Sequence, residues 1–171
     1  MSTRTSWLTR AETAADVAAI REVNLQAFGK TFEPDLVEAL RDDPSAWLPG
    51  LSIVTTTEAG EVVAHALFTR VHIDETPVLS MGPCAVATAY QRKGAGSAAI
   101  RAGLAIARER GEHAVIVLGH LTYYPRFGFE PAESFGIRAT FDTGPHLMAL
   151  ALDPSRPLPS GTLRYPATWD I

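Results

Sequence analysis

The sequence has little of what marks secreted, membrane-spanning or nucleic-acid-binding proteins. Its 171 residues include one cysteine, Cys84, which excludes an internal disulfide and is typical of a reducing compartment. No apolar run approaches the roughly 18 residues that a membrane-spanning helix needs, and the N-terminus lacks the apolar core of a secretory signal. We therefore expect a cytoplasmic protein without a membrane partner.

An excess of positive charge is also missing. The formal net charge is −4, and the 15 lysines and arginines are scattered along the chain. Proteins that bind nucleic acid usually gather basic residues on one surface, so we expect no nucleic-acid partner. The histidine, cysteine and acidic residues do not follow the spacing of a metal site, so we expect no metal either.

The composition that is present suits a globular domain. Hydrophobic residues make up 46% of the chain and charged residues 20%, which allows an ordinary apolar core. The length predicts a single domain over residues 1–171, in which a C-terminal tail from 153 to 171 packs on the rest. The sequence leaves open whether the protein is a monomer or a homodimer.

The N-terminal half of the chain alternates helical and extended patterns. Apolar residues at helical spacing predict helices over residues 12–28 and 34–41, and Pro34 takes the favourable first position of the second helix. Runs rich in β-branched residues predict strands at 7–10, 51–57, 62–73 and 78–87. Short turns join the last three strands, which predicts that they are antiparallel.

The middle of the chain combines a strand, a glycine-containing turn and a helix. Gly94 and Gly96 in the turn let the backbone approach a ligand closely, and the helix over 97–110 begins with amides that have no partner within the helix. These amides, the helix dipole and the basic residues Arg92 and Lys93 all favour an anion. The sequence therefore predicts a phosphate-binding site at this turn.

The part of the chain after this helix predicts a crossover connection. Residues 113–118 form a continuous apolar run, typical of a buried parallel strand that a helix connects to the strand at 78–87. A short helix over 123–129 and strands at 129–131 and 146–152 follow. The expected fold is α/β (α+β in some schemes), with a mixed central sheet that is antiparallel in its N-terminal half, contains a βαβ unit in its C-terminal half and is flanked by helices.

Pro83 makes the strand at 78–87 irregular. Because proline cannot donate to a sheet ladder, we expect a bulge or a local break in pairing there. If the strands at 78–87 and 113–118 part at that point, a groove opens between them and leads to the glycine turn. The walls of such a groove carry unused amides and carbonyls.

Two histidines lie on the strand at 62–73. His65 and His72 are seven residues apart, so with a period of two their side chains face opposite sides of the sheet. They cannot form one site, and we expect a hydrogen-bonded structural or surface role for each.

Two motifs in the middle of the chain resemble those of a known family. Gln91-Arg92-Lys93-Gly94-Ala95-Gly96 matches the Q/R-x-x-G-x-G/A signature of the GNAT N-acetyltransferases, and Tyr124-Pro125-Arg126-Phe127-Gly128-Phe129 resembles their later Y-x-x-x-G-F motif. The run Gly82-Pro83-Cys84-Ala85-Val86 is similar to the YhbS-like branch. The two motifs occur in the family's order, with a helix and a buried strand between them, which makes the resemblance specific.

The resemblance implies acetyl-CoA as the acetyl donor. Its diphosphate is expected at the amides of the signature turn, formed by Gln91, Arg92, Lys93, Gly94, Ala95, Gly96 and Ser97. Its pantetheine arm is expected along the backbone of Cys84, Ala85 and Val86. Arg126 is a further candidate to reach the phosphates, and the groove between the parted strands would hold the acyl-CoA.

The resemblance also implies acetyl transfer to a primary amine of a small molecule, peptide or protein, by direct attack in a ternary complex. Tyr124 matches the tyrosine that protonates the departing thiolate in many members, and a phenol with a pKa near 10 is protonated at neutral pH. His120 is a candidate base, although the resemblance fixes no general base. We expect the acceptor pocket between the first two helices, the 72–77 turn and the tail, with Glu33 as a solvated charge at its border.

Two other functions remain open from the residues. One is a catalytically silent acyl-CoA-binding or sensing module, because residues 119–120 provide no Asn or Asp where many family members carry one. The other is a dinucleotide-binding oxidoreductase, because residues 94–99 fit the G-x-G-x-x-G/A pattern. Six residues between Ala87 and Gly94, and the lack of an acidic residue at the end of the next strand, argue against the second.

Overall fold

The computed structural model describes residues 6–170 and has a mixed sheet at its centre. The strands are β1 (Leu8–Ala11), β2 (Trp47–Thr56), β3 (Val62–Ile73), β4 (Thr76–Val86), β5 (Ala114–Leu118), β6 (Glu130–Pro131), β7 (Ile137–Arg138), β8 (Leu147–Ala151) and β9 (Gly161–Arg164). The α-helices are α1 (Val17–Phe28), α2 (Phe32–Arg41) and α3 (Ala95–Glu109). The strand order is β1-β2-β3-β4-β5-β8-β6, with β9 beside β3 and β7 beside β9.

This arrangement confirms the predicted fold class. β1 to β4 pair in sequence as antiparallel neighbours, whereas β4 and β5 are parallel and are connected through α3. The long buried β3 has the bounds that its β-branched pattern predicts. The antiparallel half and the βαβ half therefore share one sheet, and they meet at β4.

The parallel strands β4 and β5 pair over only a short length before they diverge. The paired positions are Leu79 with Val115 and Ser80 with Ile116. β4 then runs on to Val86 and β5 to Leu118 without further pairing to each other in the described part of the chain. The predicted parting of the strands is confirmed, and a groove opens beyond Ser80.

Pro83 lies at an irregularity of β4. The register between β4 and β3 shifts where Cys84 opposes Ala66 and Met81 opposes Phe68, so that Pro83 falls inside the shift. A proline offers no amide to the neighbouring strand, and the bulge removes the need for one. The predicted break in pairing is therefore confirmed at the start of the groove.

α3 covers the sheet with a face of small and aliphatic side chains. Its buried face includes Ile100, Gly103, Leu104 and Ala107, as the helical spacing predicts. Gly103 lies directly over β3, because a Cβ at this position would come within 2.1 Å of Phe68 Cε2. The close packing holds the helix in place, so that its N-terminal end faces the groove.

Several element boundaries differ from the sequence prediction. α1 begins at Val17 rather than 12, and α3 spans Ala95–Glu109 rather than 97–110. α2 begins at Phe32, which puts Pro34 at its third position rather than its first. The third position tolerates proline because its amide has no acceptor within the helix. β2 begins at Trp47 rather than 51, because Trp47 pairs with Thr69 of β3 beyond an irregularity in the register. The Pro-Gly sequence between these positions is typical of a turn, so the sequence did not predict the longer strand.

The chain after β8 returns to the sheet and to α2. β9 pairs with the end of β3, and the amide of Thr162 donates to Asp74 Oδ1 at 3.0 Å. Trp169 packs against the cluster that contains Leu36 and Leu40 of α2. The end of the described chain therefore forms one wall of the region beside α2. Within residues 6–170, no helix combines the length and the apolarity that crossing a bilayer requires.

Candidate active site

A cavity of about 690 Å³ lies where β4 and β5 diverge and α3 begins. Ten of the residues predicted to bind the cofactor line it: Cys84, Ala85, Val86, Gln91, Arg92, Gly94, Ala95, Gly96, Ser97 and Arg126. The catalytic candidates Tyr124 and His120 line it as well. The structure thus brings together two motifs that are far apart in the sequence.

Lys93 is the predicted binding residue that does not line this cavity. Its carbonyl accepts a hydrogen bond of 2.8 Å from Trp7 Nε1, and Trp7 stands edge-on to Tyr90 with ring centroids 6.0 Å apart. This contact fixes the outer side of the turn against the N-terminal strand. A contact between residues so distant in sequence gives no local signal, which is why the basic turn alone suggested that Lys93 faces the ligand.

The start of α3 provides amides without partners. Gly94 precedes the helix in the left-handed region with φ of 86°, and no side chain within residues 6–170 caps the helix N-terminus. The amides of Ala95, Gly96 and Ser97 therefore lie at the positive end of the helix dipole, on the cavity wall. Arg92 lies on the same wall, so the electrostatics of this end favour an anion.

Gly96 allows the helix to approach the edge of β4. A Cβ at Gly96 would lie 2.9 Å from Val86 Cγ2, closer than carbon atoms normally come. The cavity passes between these two elements, so a side chain here would push α3 away from the strand. The second glycine of the signature is required by packing as well as by access to the ligand.

The Tyr124 hydroxyl lies against the Cys84 thiol at the inner end of the cavity. Burial raises the pKa of Tyr124 above its ordinary value, and the neighbouring Cys84 and Tyr123 add to this effect. Burial also raises the pKa of Cys84, to about 12. Both groups hold their protons at neutral pH, so this end of the cavity contains a proton donor and no thiolate nucleophile.

Gly119 makes room for the Tyr124 ring. A Cβ at Gly119 would lie 2.2 Å from Tyr124 Cε2. The ring also packs edge-on against Phe129, with centroids 5.9 Å apart, and against Tyr123 at 5.1 Å. These contacts fix the direction in which the hydroxyl points.

Tyr123, which the sequence analysis did not single out, also lines the larger cavity. Its hydroxyl forms a hydrogen bond of 2.8 Å with Ser97 Oγ in the first turn of α3. Arg126 stacks on its ring with its guanidinium carbon 4.3 Å from the centroid, and Arg126 Nε donates to its carbonyl at 2.8 Å. Tyr123 therefore ties the segment that carries Tyr124 to the start of the helix. The adjacent tyrosine pair was the only sequence signal for this role.

A second cavity, of about 330 Å³, adjoins the first. Both cavities are lined by Phe28, Cys84, His120 and Tyr124, so these residues form the junction between them. His120 is exposed there, and its carbonyl accepts hydrogen bonds from the amides of Tyr123 and Tyr124 at 3.2 and 3.4 Å. The geometry allows two ligands to meet at the junction.

The second cavity bears on two expectations, the position of the acceptor pocket and the solvation of Glu33. No residue of the 72–77 turn lines it, whereas residues of α2 and the tail residues Tyr165 and Trp169 do. Glu33 was expected to be solvated, but its side chain is only 14% exposed and lies in the cavity wall. It shares this wall with Tyr165 and Trp169 of the distant tail, which the sequence does not show.

His65 lies in the core, outside both cavities. Its Nε2 is 2.9 Å from Ser52 Oγ and its Nδ1 is 3.2 Å from Asn24 Nδ2, while Ser52 Oγ donates to Glu12. Burial lowers the pKa of His65 to about 3, and the nearby Arg41 adds to the effect. The ring is therefore a neutral structural group. Among residues 6–170, no cluster of three or more histidine, cysteine, aspartate or glutamate side chains is arranged to hold a metal.

Comparison with known proteins identifies the class to which this site belongs. The family model described as "Acetyltransferase (GNAT) family" matches residues 17–129, which include α1, the diverging strands, α3 and both motifs. The chain belongs to the GNAT acetyltransferase family.

Curated relatives and solved structures agree with this membership. The chain is 45% identical over 121 residues to the uncharacterized N-acetyltransferase YjhQ of Escherichia coli K12, covering 68% of this chain and 66% of that protein, a little under two thirds. It is 31% identical over 133 residues to the uncharacterized N-acetyltransferase YhbS of the same organism, covering 77% and 78%.

Two solved structures share the fold over nearly their whole length. YhbS from Escherichia coli in complex with CoA has a TM-score of 0.90 at 26% identity, covering 100% of this chain and 96% of that chain. A GNAT family acetyltransferase from Brucella melitensis in complex with acetyl-CoA has a TM-score of 0.80 at 31% identity, covering 97% and 99%. The family assignment made from the two motifs is confirmed.

Proposed function

We propose that the protein is an N-acetyltransferase that transfers the acetyl group of acetyl-CoA to a primary amine by direct attack in a ternary complex. The observation that carries the proposal is the junction of two cavities at Cys84, His120 and Tyr124. One cavity has the features of an acyl-CoA site and the other is open to an acceptor. A proton donor stands where they meet.

The larger cavity fits acetyl-CoA in chemistry. The uncapped amides at the start of α3 and the nearby Arg92 suit a diphosphate, while Arg126 at the rim adds a second positive charge. The edge of β4 beyond Ser80 has no β5 partner, so its amides and carbonyls can pair with the amide groups of a pantetheine arm. The two solved relatives that hold CoA or acetyl-CoA support this assignment.

The reaction follows from the position of Tyr124. The amine nitrogen forms a bond to the thioester carbonyl carbon, and the carbon–sulfur bond breaks with its electron pair on sulfur. The Tyr124 O–H gives its proton to the leaving thiolate and regains one from solvent, while the proton of the amine passes to water or to His120. Holding both reactants at one junction supplies much of the rate enhancement, and a free strand amide stabilises the oxyanion.

A catalytically silent acyl-CoA-binding or sensing module is the second candidate. Its support is that Gly119 and His120 follow β5 without a carboxylate, and that His120 is exposed. Such a protein would fill the larger cavity without turnover. Binding and turnover therefore have to be measured separately.

The test combines thiol release with direct detection of the acetylated product. Purified protein is mixed with acetyl-CoA and a broad panel of primary amines, and the free CoA thiol is followed over time. Release that depends on the amine, together with a product heavier by one acetyl group, supports the enzyme. Normal CoA binding with no release across the panel supports the sensing module instead.

A further inference from the structure

Two residues in the wall of the second cavity each carry a buried polar side-chain atom without a partner. Glu33 Oε2 and Trp169 Nε1 find no hydrogen-bond partner among residues 6–170, and both side chains line this cavity. The other such side-chain atoms in the described chain, on Asn24 and Thr69, belong to residues that do not line it. Buried polar groups are nearly always paired in folded proteins. An unpaired acceptor and an unpaired donor in one cavity therefore indicate that a ligand completes both.

We propose that this cavity selects its amine acceptor by three features together: an ammonium group, a hydrogen-bond acceptor close to it and an apolar, preferably aromatic, side group. The proposal rests on the proposed acetyltransferase function and names the substrate class of that same site. Glu33 recognises the ammonium group, which gives one proton to solvent before the neutral nitrogen attacks the thioester. Trp169 recognises the acceptor atom. A small α-amino amide with an aromatic side chain has all three features.

Glu33 is suited to bind a cation although a lysine already lies nearby. Lys30 Nζ is 3.2 Å from Glu33 Oε1, but Lys30 is 63% exposed, so solvent weakens this pair. The second oxygen, Oε2, is buried and has no donor. The terminal torsion of a glutamate is broad, so a small rotation turns this oxygen into the cavity. An ammonium group there gains a charge-assisted hydrogen bond.

Trp169 defines a different requirement. The indole nitrogen is a donor only, so its partner must be a carbonyl, hydroxyl or ether oxygen of the ligand. The ring packs against Tyr165, with centroids 4.8 Å apart, and this contact holds it in the cavity wall. A donor and a carboxylate in the wall of one cavity together select for an amine that carries an acceptor atom.

The rest of the cavity is apolar and small. Phe28, Phe32 and Leu118 line it and are 36%, 42% and 41% exposed, so its rim presents apolar surface to solvent. Large exposed apolar side chains around a concave site favour an apolar ligand body. A volume of about 330 Å³ is near the lower end for ligand sites, which favours a small molecule. Strongly polar polyamines fit these walls poorly.

A matched set of amines separates the three features. Phenylalaninamide carries all of them, 2-phenylethylamine lacks the acceptor atom, glycinamide lacks the apolar group and N-acetylphenylalaninamide lacks the ammonium group. Each compound is titrated calorimetrically into the CoA-loaded protein, and the three amines are also assayed for acetyl transfer. We expect the Kd of phenylalaninamide to be at least about tenfold lower than that of each of the other compounds.

Two variants assign the features to residues. Glu33→Gln should weaken phenylalaninamide binding by about 10- to 100-fold and leave CoA affinity unchanged, because a charged hydrogen bond is lost. Asp35→Asn is the matched control, since it removes a carboxylate from the same helix that pairs with Arg21 and lies outside the cavity. Trp169→Phe should remove the preference for phenylalaninamide over 2-phenylethylamine.

The outcomes distinguish this proposal from the proposed function. If acetyl transfer occurs but glycinamide is preferred, or if Glu33→Gln and Asp35→Asn bind phenylalaninamide equally well, the proposed substrate class is wrong and the acetyltransferase function is retained. If phenylalaninamide binds with the expected selectivity but no amine is acetylated, the proposed ligand specificity of the cavity is supported and the proposed acetyltransferase function is contradicted.

Discussion

At the scale of single residues, protonation at the junction of the two cavities follows from burial. Tyr124 and Cys84 are adjacent and poorly solvated, so the pKa of each is raised and each keeps its proton. A protonated phenol beside a leaving thiolate serves as a general acid, whereas a protonated thiol is a poor nucleophile. The same burial therefore suits Tyr124 to the role of proton donor and makes Cys84 unsuited to the role of nucleophile.

Replacing Tyr124 by phenylalanine should remove the proton donor while preserving the ring. We expect kcat to fall by about 100-fold or more, because general acid catalysis contributes on that order, with an unchanged affinity for CoA. Steady-state kinetics and calorimetric titration with CoA measure the two quantities. Cys84→Ala is the comparison and should reduce kcat much less, because the thiol takes no part in the transfer. Equal rates for wild type and Tyr124→Phe would refute the general-acid role.

Gly119→Ala should act through Tyr124. The added Cβ would lie 2.2 Å from the ring, so the ring must move and the hydroxyl moves with it. We expect kcat to fall by at least about tenfold, since small displacements of catalytic groups are costly. The double variant Gly119→Ala/Tyr124→Phe checks whether the effect of Gly119→Ala depends on the Tyr124 hydroxyl. It should be no slower than Tyr124→Phe alone, and independent, additive losses would show that Gly119 acts elsewhere.

His65 should make the stability of the protein depend on pH. Its pKa is about 3 in the folded protein and about 6.5 when unfolded, so between these values the unfolded chain binds more protons. The stabilisation is fully present above pH 6.5 and is lost as the pH falls toward 3, with a slope of up to about 1.4 kcal/mol per pH unit. Urea unfolding at a series of pH values measures it.

His65→Gln is the variant that isolates this contribution, because glutamine can hydrogen-bond in the core but does not titrate there. Its unfolding free energy should change less steeply than that of the wild type over the same pH range. His113→Gln, which alters an exposed contact of a histidine with the Pro157 carbonyl, is the matched control. If the unfolding free energies of the wild type and His65→Gln change with pH in parallel, the buried histidine is not the source of the pH dependence.

Single residues also show where sequence reasoning ends. Tyr124 and the glycine turn could be recognised because their local patterns carry the chemistry. Glu33 could not be placed, because it lines a cavity together with tail residues more than a hundred positions later in the chain. Lys93 was assigned to the ligand from its charge, although a contact with Trp7 fixes its carbonyl on the outer side of the turn. The surroundings of both residues are formed by parts of the chain far away in the sequence, which a local pattern does not contain.

At the scale of elements, the site depends on how closely α3 approaches the sheet. Gly103 lies over Phe68 and Gly96 lies against Val86, so glycines remove side chains at both ends of the contact. The helix can then direct its N-terminal amides into the groove that the parted strands open. Its position, more than any single side chain, makes this end of the groove favourable for an anion.

Gly103→Ala should destabilise the protein even though alanine is the better helix former. Propensity alone favours alanine by about 1 kcal/mol, but a Cβ 2.1 Å from Phe68 overpacks the core, which usually costs about 1–3 kcal/mol. The unfolding free energy in urea should therefore fall. Ala105→Gly, at an exposed position of the same helix, gives the size of the propensity effect by itself. A stability gain in Gly103→Ala would contradict the close packing.

Periodicity predicted the elements better than it predicted their ends. The β-branched run of β3 and the apolar run of β5 sit in the sheet as the sequence indicates, because burial on both faces leaves a clear pattern. β2 begins earlier than predicted, since its Pro-Gly sequence resembles a turn while tertiary pairing keeps the strand going. Pairing partners and packing, which a local pattern does not contain, set such boundaries.

At the scale of the whole molecule, the two halves of the sheet and the end of the chain build the site together. The antiparallel half supplies β4, the βαβ half supplies α3 and the divergence, and the tail closes the second cavity against α2. The sequence predicted the first two contributions from motif order. The tail could be expected to take part only through its aromatic residues, and its path over the 72–77 turn came from the structure.

The central claim is that the larger cavity binds acyl-CoA through the start of α3. The most direct measurement is a calorimetric titration of the purified protein with CoA, followed by competition with acetyl-CoA. We predict saturable binding of one CoA per chain that acetyl-CoA displaces and that rising salt weakens, because the diphosphate is held partly by charge. If CoA and acetyl-CoA produce no binding heat at any temperature tested, and do not raise the melting temperature of the protein either, the account is contradicted.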